Sequence, residues 1–372
     1  MSFTDNLKSI FSDLVSSKSN TFVGIDIGSS YIKVAQLKKE NGRILLETYG
    51  EIALGPYEGQ NGVAGQLTNL EIDKLTSALN NLLTQSNVNA TSAVVSVSSA
   101  TSLIFILTLP YINKRELPGV IKNEARKYIP IPLSEVSLDW WMIPTQENYH
   151  NEYEGSFKED HTDVLVAAVR NEVVNRYNTV SKNLGIFKNI AFEIETFSAI
   201  RGSFKHELAS VMLLDFGASG VRMSIVEHGV VRKFRAVNRG SAYLTSSLQK
   251  SFELDFVKAE ALKRDVGLDE SHVNTEAYKI ISTGTNYIFS EIQNVIFGFE
   301  KEYKKPISKI ILTGGGSQLK GFQNELESRY NINVTFADPF SKVVSPEFLG
   351  GILQEAGPEF TVAIGLALQG IE

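Results

Sequence analysis

The sequence predicts an α/β protein of two related lobes, and three observations carry that prediction. Two segments, "GIDIGSSYIKVAQL" at 24–37 and "LLDFGASGVRMSIV" at 213–226, share one order: apolar strand, Asp, x, Gly, small residue, Ser, second strand. Strands and helices alternate in two successive passes, one behind each of these segments. The chain of 372 residues also exceeds the usual size of a single hydrophobic core.

The elements follow in order. Residues 1–20 place Phe3, Leu7, Ile10, Phe11, Leu14 and Val15 at the spacing of an amphipathic helix, ahead of the linker "SSKSN". The segment is too polar for a secretory signal. Lys8 and Lys18 are offset by Asp5 and Asp13, which favours a helix docked on protein or loosely tethered over a membrane-surface helix. The first lobe spans 21–205. It opens with strands at Thr21–Asp26, Tyr31–Leu37 and Arg43–Ile52, the last two joined by an Asn-Gly hairpin turn in "KKENGR". A Gly-rich loop at 55–69, a helix in "EIDKLTSALNNLLTQ" and a buried strand in "SAVVSVSS" come next.

Within that lobe, 103–186 reads as an inserted subdomain. It runs as strand "SLIFILTLP", a helix near "LPGVIKNEARKYI", the rigid "PIP" turn, strand "EVSLDWWMI", a polar loop at 145–160, strand "TDVLVAAVR" and helix "NEVVNRYNTVSKNLG". Strand "KNIAFEIE" and a short helix close the lobe. The second lobe, 206–354, repeats the Asp-containing hairpin. A helical subdomain at about 240–305 follows, whose long helix carries Ile281, Ile288, Ile292, Val295, Ile296 and Phe299 on one face. Strand "SKIILTGGGS", helix "LKGFQNELESRY" and strand "NVTF" complete it. A helix in 355–372, "EFTVAIGLALQG", returns to the first lobe.

Composition excludes several functions. A net charge of −6 and a pI near 5.6 argue against a protein built to hold nucleic acid. With no Cys there is no disulfide, thiolate metal site or cysteine nucleophile, as suits a reducing compartment. The five His never fall at metal-ligand spacing, and no apolar run reaches the length of a membrane span.

The paired hairpins carry the chemistry. Gly28 and Gly217 let each turn tighten, and backbone N–H groups of Ser29, Ser30, Ala218 and Ser219 can ring a phosphate. Lys33 returns along the second strand towards the same phosphates. Asp26 and Asp215, facing each other across a cleft, would hold Mg²⁺, through its waters because that ion dehydrates reluctantly. Singly, an Asp-x-Gly tripeptide is an ordinary turn; two matched copies are not. Gly314, Gly315 and Gly316 stand where a buried strand turns into a helix, which permits close backbone approach to a planar group such as adenine, or a plain tight turn. No Walker A motif occurs.

The order Asp-hairpin, Asp-hairpin, Gly-rich loop resembles the actin-like ATPase superfamily over about residues 22–370. That group includes actin, DnaK-type chaperones, sugar kinases, FtsA, MreB and PilM, and the resemblance implies duplicated ribonuclease H-like domains that bind ATP with Mg²⁺. "FEIETFSAIR" looks like the first connecting segment, with Glu195 in the place of the residue that positions the attacking water. "EFTVAIGLALQG" looks like the second, whose Ala363 and Gly365 permit close helix crossing. Glu260 and Lys263 in "KAEALK" are similar to the E-x-x-K used around ribose and adenine, although the pair alone is an ordinary helix salt bridge. Gly240 falls near the nucleotide cleft, in an Arg239-Gly240-Ser241 run where a Gly-Gly pair is more usual. That departure weakens the implication of ATP turnover more than that of binding.

Within the superfamily, "EARKYIPIPL", the strand containing "LDW", "ADPFSKV" and the final "AIGLALQG" resemble the PilM family of type IV pilus assembly, in that order. The resemblance implies an ATP-binding protein with weak ATPase activity at most, at the cytoplasmic face of the inner membrane. It would recruit the cytoplasmic N-terminal tail of a PilN-like protein, in a groove around 103–143, and link that protein and a PilO-like partner to the motor ATPases. Pro118 departs from the family helix, unless the helix starts there. The rivals are an FtsA-like membrane tether of cell division, which expects a C-terminal amphipathic helix, a sugar kinase, which expects a substrate-side base, and a scaffold without turnover.

Overall fold

The computed structural model describes residues 20–59, 62–110, 116–143, 161–205, 207 and 209–371. The expected N-terminal helix and the polar loop at 145–160 lie outside the described residues. The first lobe opens with β1 (Thr21–Ile27), β2 (Tyr31–Glu40) and β3 (Arg43–Ala53). Asn41 and Gly42 take φ of 50° and 76° at the β2–β3 turn, the primed conformation that an Asn-Gly pair favours. The chain continues through α1 (Ile72–Gln85) and β4 (Ser92–Val97) into the insert, which comprises β5 (Ser102–Pro110), α2 (Leu117–Ala125), β6 (Val136–Met142), β7 (His161–Arg170) and α3 (Asn171–Leu184). It returns as β8 (Asn189–Ile194) and α4 (Glu195–Ser203).

The second lobe runs β9 (Val211–Phe216), β10 (Val221–Glu227), β11 (Val230–Val237), α5 (Ser241–Phe252), α6 (Phe256–Val266) and α7 (Thr275–Tyr303). Then come β12 (Lys309–Thr313), α8 (Phe322–Tyr330), β13 (Asn333–Phe336) and α9 (Gly350–Ile371). The two large sheets have one topology, β3-β2-β1-β4-β8 and β11-β10-β9-β12-β13. In each, an antiparallel three-stranded meander is extended by two parallel strands. Strand β4, "SAVVSV", is buried at every position, as a central parallel strand covered on both faces must be. The duplication read in the sequence is thus a duplication of the fold.

The insert is a three-stranded antiparallel sheet in the order β5-β7-β6. The two runs expected to flank a docking groove therefore pair with β7 and not with each other. Alternation along β6 sends its neighbouring tryptophans to opposite faces. Trp141 is buried against Phe197, with ring centroids 5.0 Å apart, whereas half-buried Trp140 packs with Phe105 and Leu138 against the α2 side. Pro118 stands in the first turn of α2, where its missing N–H costs nothing.

One boundary differs from expectation. Helix α9 begins at Gly350, and Pro358 lies inside it. Proline removes its own N–H from the helix ladder, but its carbonyl here accepts from Gly314 N–H at 2.9 Å and from the Thr313 hydroxyl at 2.7 Å. The helix is thereby stitched to the glycine loop of the opposite lobe. It also crosses β1 and α4 at backbone contact. A Cβ on Gly24 would stand 2.0 Å from the Ala363 carbonyl oxygen, and one on Gly365 1.9 Å from that of Ser198. Beside this crossing Arg201 makes two 2.7 Å hydrogen bonds to Glu193 and one of 3.1 Å to the Gly365 carbonyl, all buried. Gly365→Val should therefore lower stability in urea unfolding by at least ~2 kcal/mol. Gly119→Ala, with nothing within 4 Å of the added carbon, should change it by less than ~1 kcal/mol. Equal effects would show that the crossing tolerates a side chain.

Candidate functional site

A cavity of about 1020 Å³ separates the two lobes, at the large end of the range of small-molecule pockets. The two hairpins enter it from opposite sides. Asp26 stands near the end of β1 and Asp215 near the end of β9, and both line the cavity with Gly28, Ser29, Ser30, Lys33, Gly217, Ala218 and Ser219. The pairing explains how each carboxylate is tolerated. Asp26 lies opposite Lys33 across the β1–β2 hairpin, and Asp215 lies opposite Arg222 across β9–β10. Burial nevertheless dominates. It pushes the Asp26 carboxyl up to about 6 and that of Asp215 up to about 7, with the negative charge of Glu195 adding to both.

Glu195, the first residue of α4, also lines the cavity. Its Oε1 accepts from Ser99 N–H at 2.8 Å and from the Ser98 hydroxyl at 3.4 Å, and lies 3.5 Å from Arg222 Nε. One carboxylate oxygen is thus held by the first lobe and by a cation of the second. Arg222 was not singled out by sequence reasoning, although a signal existed: it follows Asp215 by the same interval that separates Lys33 from Asp26.

Gly314, Gly315 and Gly316 form the cavity wall at the end of β12. Gly314 has φ of 80°, and a Cβ there would stand 2.5 Å from Asp215 Oδ1, so only glycine brings this loop against the hairpin. Glu260 and Lys263 also line the cavity, from α6, and pair at 2.7 Å. Glu260 Oε2 also accepts from the Thr245 hydroxyl at 2.6 Å. Although burial works against it, Lys263 holds the Glu260 carboxyl below its ordinary value. Burial also draws Lys263 below its own.

Gly240 is the exception among the expected residues, because it does not line the cavity. It packs behind the second hairpin, where a Cβ would come within 2.2 Å of the Ala218 carbonyl oxygen. The cause is the docking of α5: Ser241 and Ala242 donate their N–H groups to the carbonyls of Gly217 and Ala218 at 3.0 and 3.1 Å, and these two residues reach the cavity instead. Arg239, the departure beside it, lies over the rings of Tyr243 and Tyr287 at 5.0 and 4.4 Å and is also outside the cavity.

Two other contributors were missed. Glu359 of α9 sits 3.6 Å from Lys33. From the insert, α3 supplies Glu172, Arg176 and Tyr177 to the wall. Arg176 bonds the Leu70 carbonyl, and burial pushes the Tyr177 hydroxyl up to about 12. Among the described residues no group of three or more His, Cys, Asp or Glu could by itself hold a metal ion.

Twin lobes of one sheet order, each with an Asp-tipped hairpin facing a shared cleft, define the actin-like ATPase fold. Solved structures agree. MreB5 of Spiroplasma citri bound to AMPPNP superposes with a TM-score of 0.52 at 10% identity, covering 94% of this chain and 95% of that one. The ethanolamine utilization protein EutJ from Carboxydothermus hydrogenoformans gives 0.50 at 12% identity, covering 98% and 97%. A structure described as a PilM-PilN type IV pilus biogenesis complex gives 0.78 at 23% identity, covering 94% of this chain and 98% of its own. Residues 24–371 match the family described as type IV pilus assembly protein PilM, and the chain belongs to that family. It is a type IV pilus assembly protein, as the sequence resemblance implied, and the FtsA-like alternative is not favoured.

The raised carboxyls set a pH dependence. A folded-state value above that of the unfolded chain means the folded state holds the extra protons. The associated stability is complete at low pH and is lost as pH rises through about 6 and about 7. The melting temperature of ligand-free protein should therefore gain a downward component between about pH 4 and about pH 7, and Asp215→Asn should flatten that component. Parallel profiles for wild type and variant would show that Asp215 is ionised throughout.

Proposed function

We propose that the protein binds Mg-ATP between its lobes and captures the cytoplasmic N-terminal tail of a PilN-like inner-membrane protein on its insert. It would thereby join that protein, and a PilO-like partner, to the pilus motor ATPases at the cytoplasmic face of the inner membrane. The observation that carries the nucleotide reading is the meeting of both Asp hairpins and the glycine loop in one cavity.

The residues present fit the ligand. Among the described residues the buried Ser30 hydroxyl finds no hydrogen-bond partner, beside the hairpin backbone that would receive a phosphate. A Cβ at Gly314 or Gly316 would collide with Asp215 or Phe216, so glycine is what packs this loop against the second hairpin while its backbone lines the space that would take the adenosine. In this reading Gly28, Ser29, Ser30, Gly217, Ala218, Ser219 and Lys33 hold phosphates. Gly314–Gly316, Glu260 and Lys263 hold adenosine, while Gly240 supports the second hairpin from behind. Asp26 and Asp215 hold Mg²⁺ through water, and Glu195 orients the attacking water. Bound Mg²⁺ supplies neutralisation of phosphate charge. Because both carboxyls titrate high, cation binding near neutral pH would displace protons from them. With Glu195 Oε1 held close to Arg222, turnover is expected to be weak.

The PilM–PilN structure supports the partner reading by its name and its fold. The insert adds a physical reason. Among the described residues the outer edge of β6 has no strand partner. Half-buried Trp140 lies on the α2 face of β6, and the exposed Tyr128 stacks at 4.9 Å on Phe105 of β5, across the same sheet. An extended tail would gain main-chain hydrogen bonds at such an edge and anchor apolar side chains beside it.

Two experiments test the two halves. Asp26→Ala and Asp215→Ala should each weaken Mg-ATP by at least about tenfold in calorimetry while the protein stays folded. Unchanged affinity in both would remove the nucleotide reading. A labelled tail peptide should bind at roughly micromolar strength, and Trp140→Ala with Tyr128→Ala should weaken it by about tenfold or more while sparing ATP. Wild-type binding by that double variant would place the tail elsewhere.

A further inference from the structure

Val344, Phe348 and Ile352 form an apolar strip on the first lobe, 48%, 82% and 58% exposed. Phe348 lies in the single helical turn Glu347–Leu349, and Ile352 follows one turn later near the start of α9. The next residues of each, Leu349 and Leu353, pack inward with Phe340, Phe360, Ile44 and Leu46. The strip therefore extends a packed core to the surface, unlike a lone exposed residue such as Val273, which is 94% exposed.

The chain's own N-terminal segment enters the described structure beside this strip. Lys39 N–H donates to the Asn20 carbonyl at 2.8 Å, Lys39 pairs with Ile44 across β2–β3, and Val344 N–H donates to the Ile44 carbonyl at 2.8 Å. Val344 also accepts from Leu46 N–H at 2.9 Å, so it acts as an extra rung outside β3. A row thus runs Asn20, Lys39, Ile44, Val344, and its ends are separated by three strand spacings, roughly 14 Å. The linker Ser16–Asn20 spans roughly 17 Å when extended.

We infer that residues 3–15 cover this strip in the same molecule, laying Phe3, Leu7, Ile10, Phe11, Leu14 and Val15 over Val344, Phe348 and Ile352. The linker ends within reach of the strip, and so short a tether supplies an effective concentration on the order of millimolar, at which weak apolar contact keeps the segment docked. The charge pattern agrees: Asp5, Lys8 and Asp13 leave the polar side without the basic excess that an anionic lipid surface requires. The strip on the fold thereby gains a partner that the folded core does not provide.

The absence of cysteine makes the test direct. In the full chain, Ile10→Cys with Val344→Cys leaves Phe348 and Ile352 in place, and Ile10→Cys with Val273→Cys serves as control on the distant lobe. Under mild oxidation at low protein concentration, the first pair should form an intramolecular disulfide at least about tenfold faster than the control. Adding Phe348→Ser to the first pair should slow it severalfold. Equal rates for the two pairs, or no disulfide in either, would overturn the inference. So would covalent dimers, which would make a second copy the occupant. Failure of the first pair to outpace the control when anionic phospholipid vesicles are present before oxidation would overturn it in favour of a membrane.

Discussion

Three carboxylates, Asp26, Asp215 and Glu195, line one cavity, and the rest of the structure accommodates that arrangement. Burial disfavours the charged form of both aspartates, the charge of Glu195 adds to it, and their high titration expresses the two together. Two cations offset it, one from each hairpin, because the strand register sets Lys33 against Asp26 and Arg222 against Asp215. Arg222 also reaches Glu195, so the second lobe helps position a residue that belongs to the first.

Holding the lobes at this separation falls largely to α9. Although it ends the second lobe in sequence, it packs on β1, β2 and α4 of the first. Its contacts are of backbone on backbone where glycines allow them, and the carbonyl of Pro358 ties it to the glycine loop of β12. The buried Arg201–Glu193 pair sits at the same junction, where removing either partner would strand a charge in the core. Cleft geometry and lobe packing are therefore one structural problem.

The insert is rooted in the same place. Strand β7 leads directly into α3, whose Glu172, Arg176 and Tyr177 line the cavity, and the turn before β5 supplies Ser98 and Ser99 to Glu195. The sheet proposed to receive a partner's tail thus shares two connections with the cleft proposed to hold nucleotide. Fixed strands at both connections mean that the two surfaces meet through packed backbone and not through a loose linker.

Much of this was legible in the sequence, and for physical reasons. The duplicated hairpin, the Asn-Gly turn, the periodicity of α7 and the placement of Pro118 are local, because each depends on residues a few positions apart. So is the identity of most cleft residues, since a tight turn beside a buried carboxylate needs small residues next to Asp. The seven-residue interval from Asp215 to Arg222 is equally local and repeats that from Asp26 to Lys33. Other features depend on what meets across the fold. That Gly240 supports the second hairpin without lining the cavity follows from how α5 docks, and that Trp140 and Trp141 divide between two faces follows from β6 pairing with β7. Helix α9 runs through Pro358, whose carbonyl serves Thr313 and Gly314 of the other lobe, and α3 reaches the cleft because it packs against α1. Sequence spacing determines which residues share a turn, a face or a strand. Which elements come to lie against one another is decided by burial and hydrogen bonding summed over the whole chain, and only the tertiary structure expresses that sum.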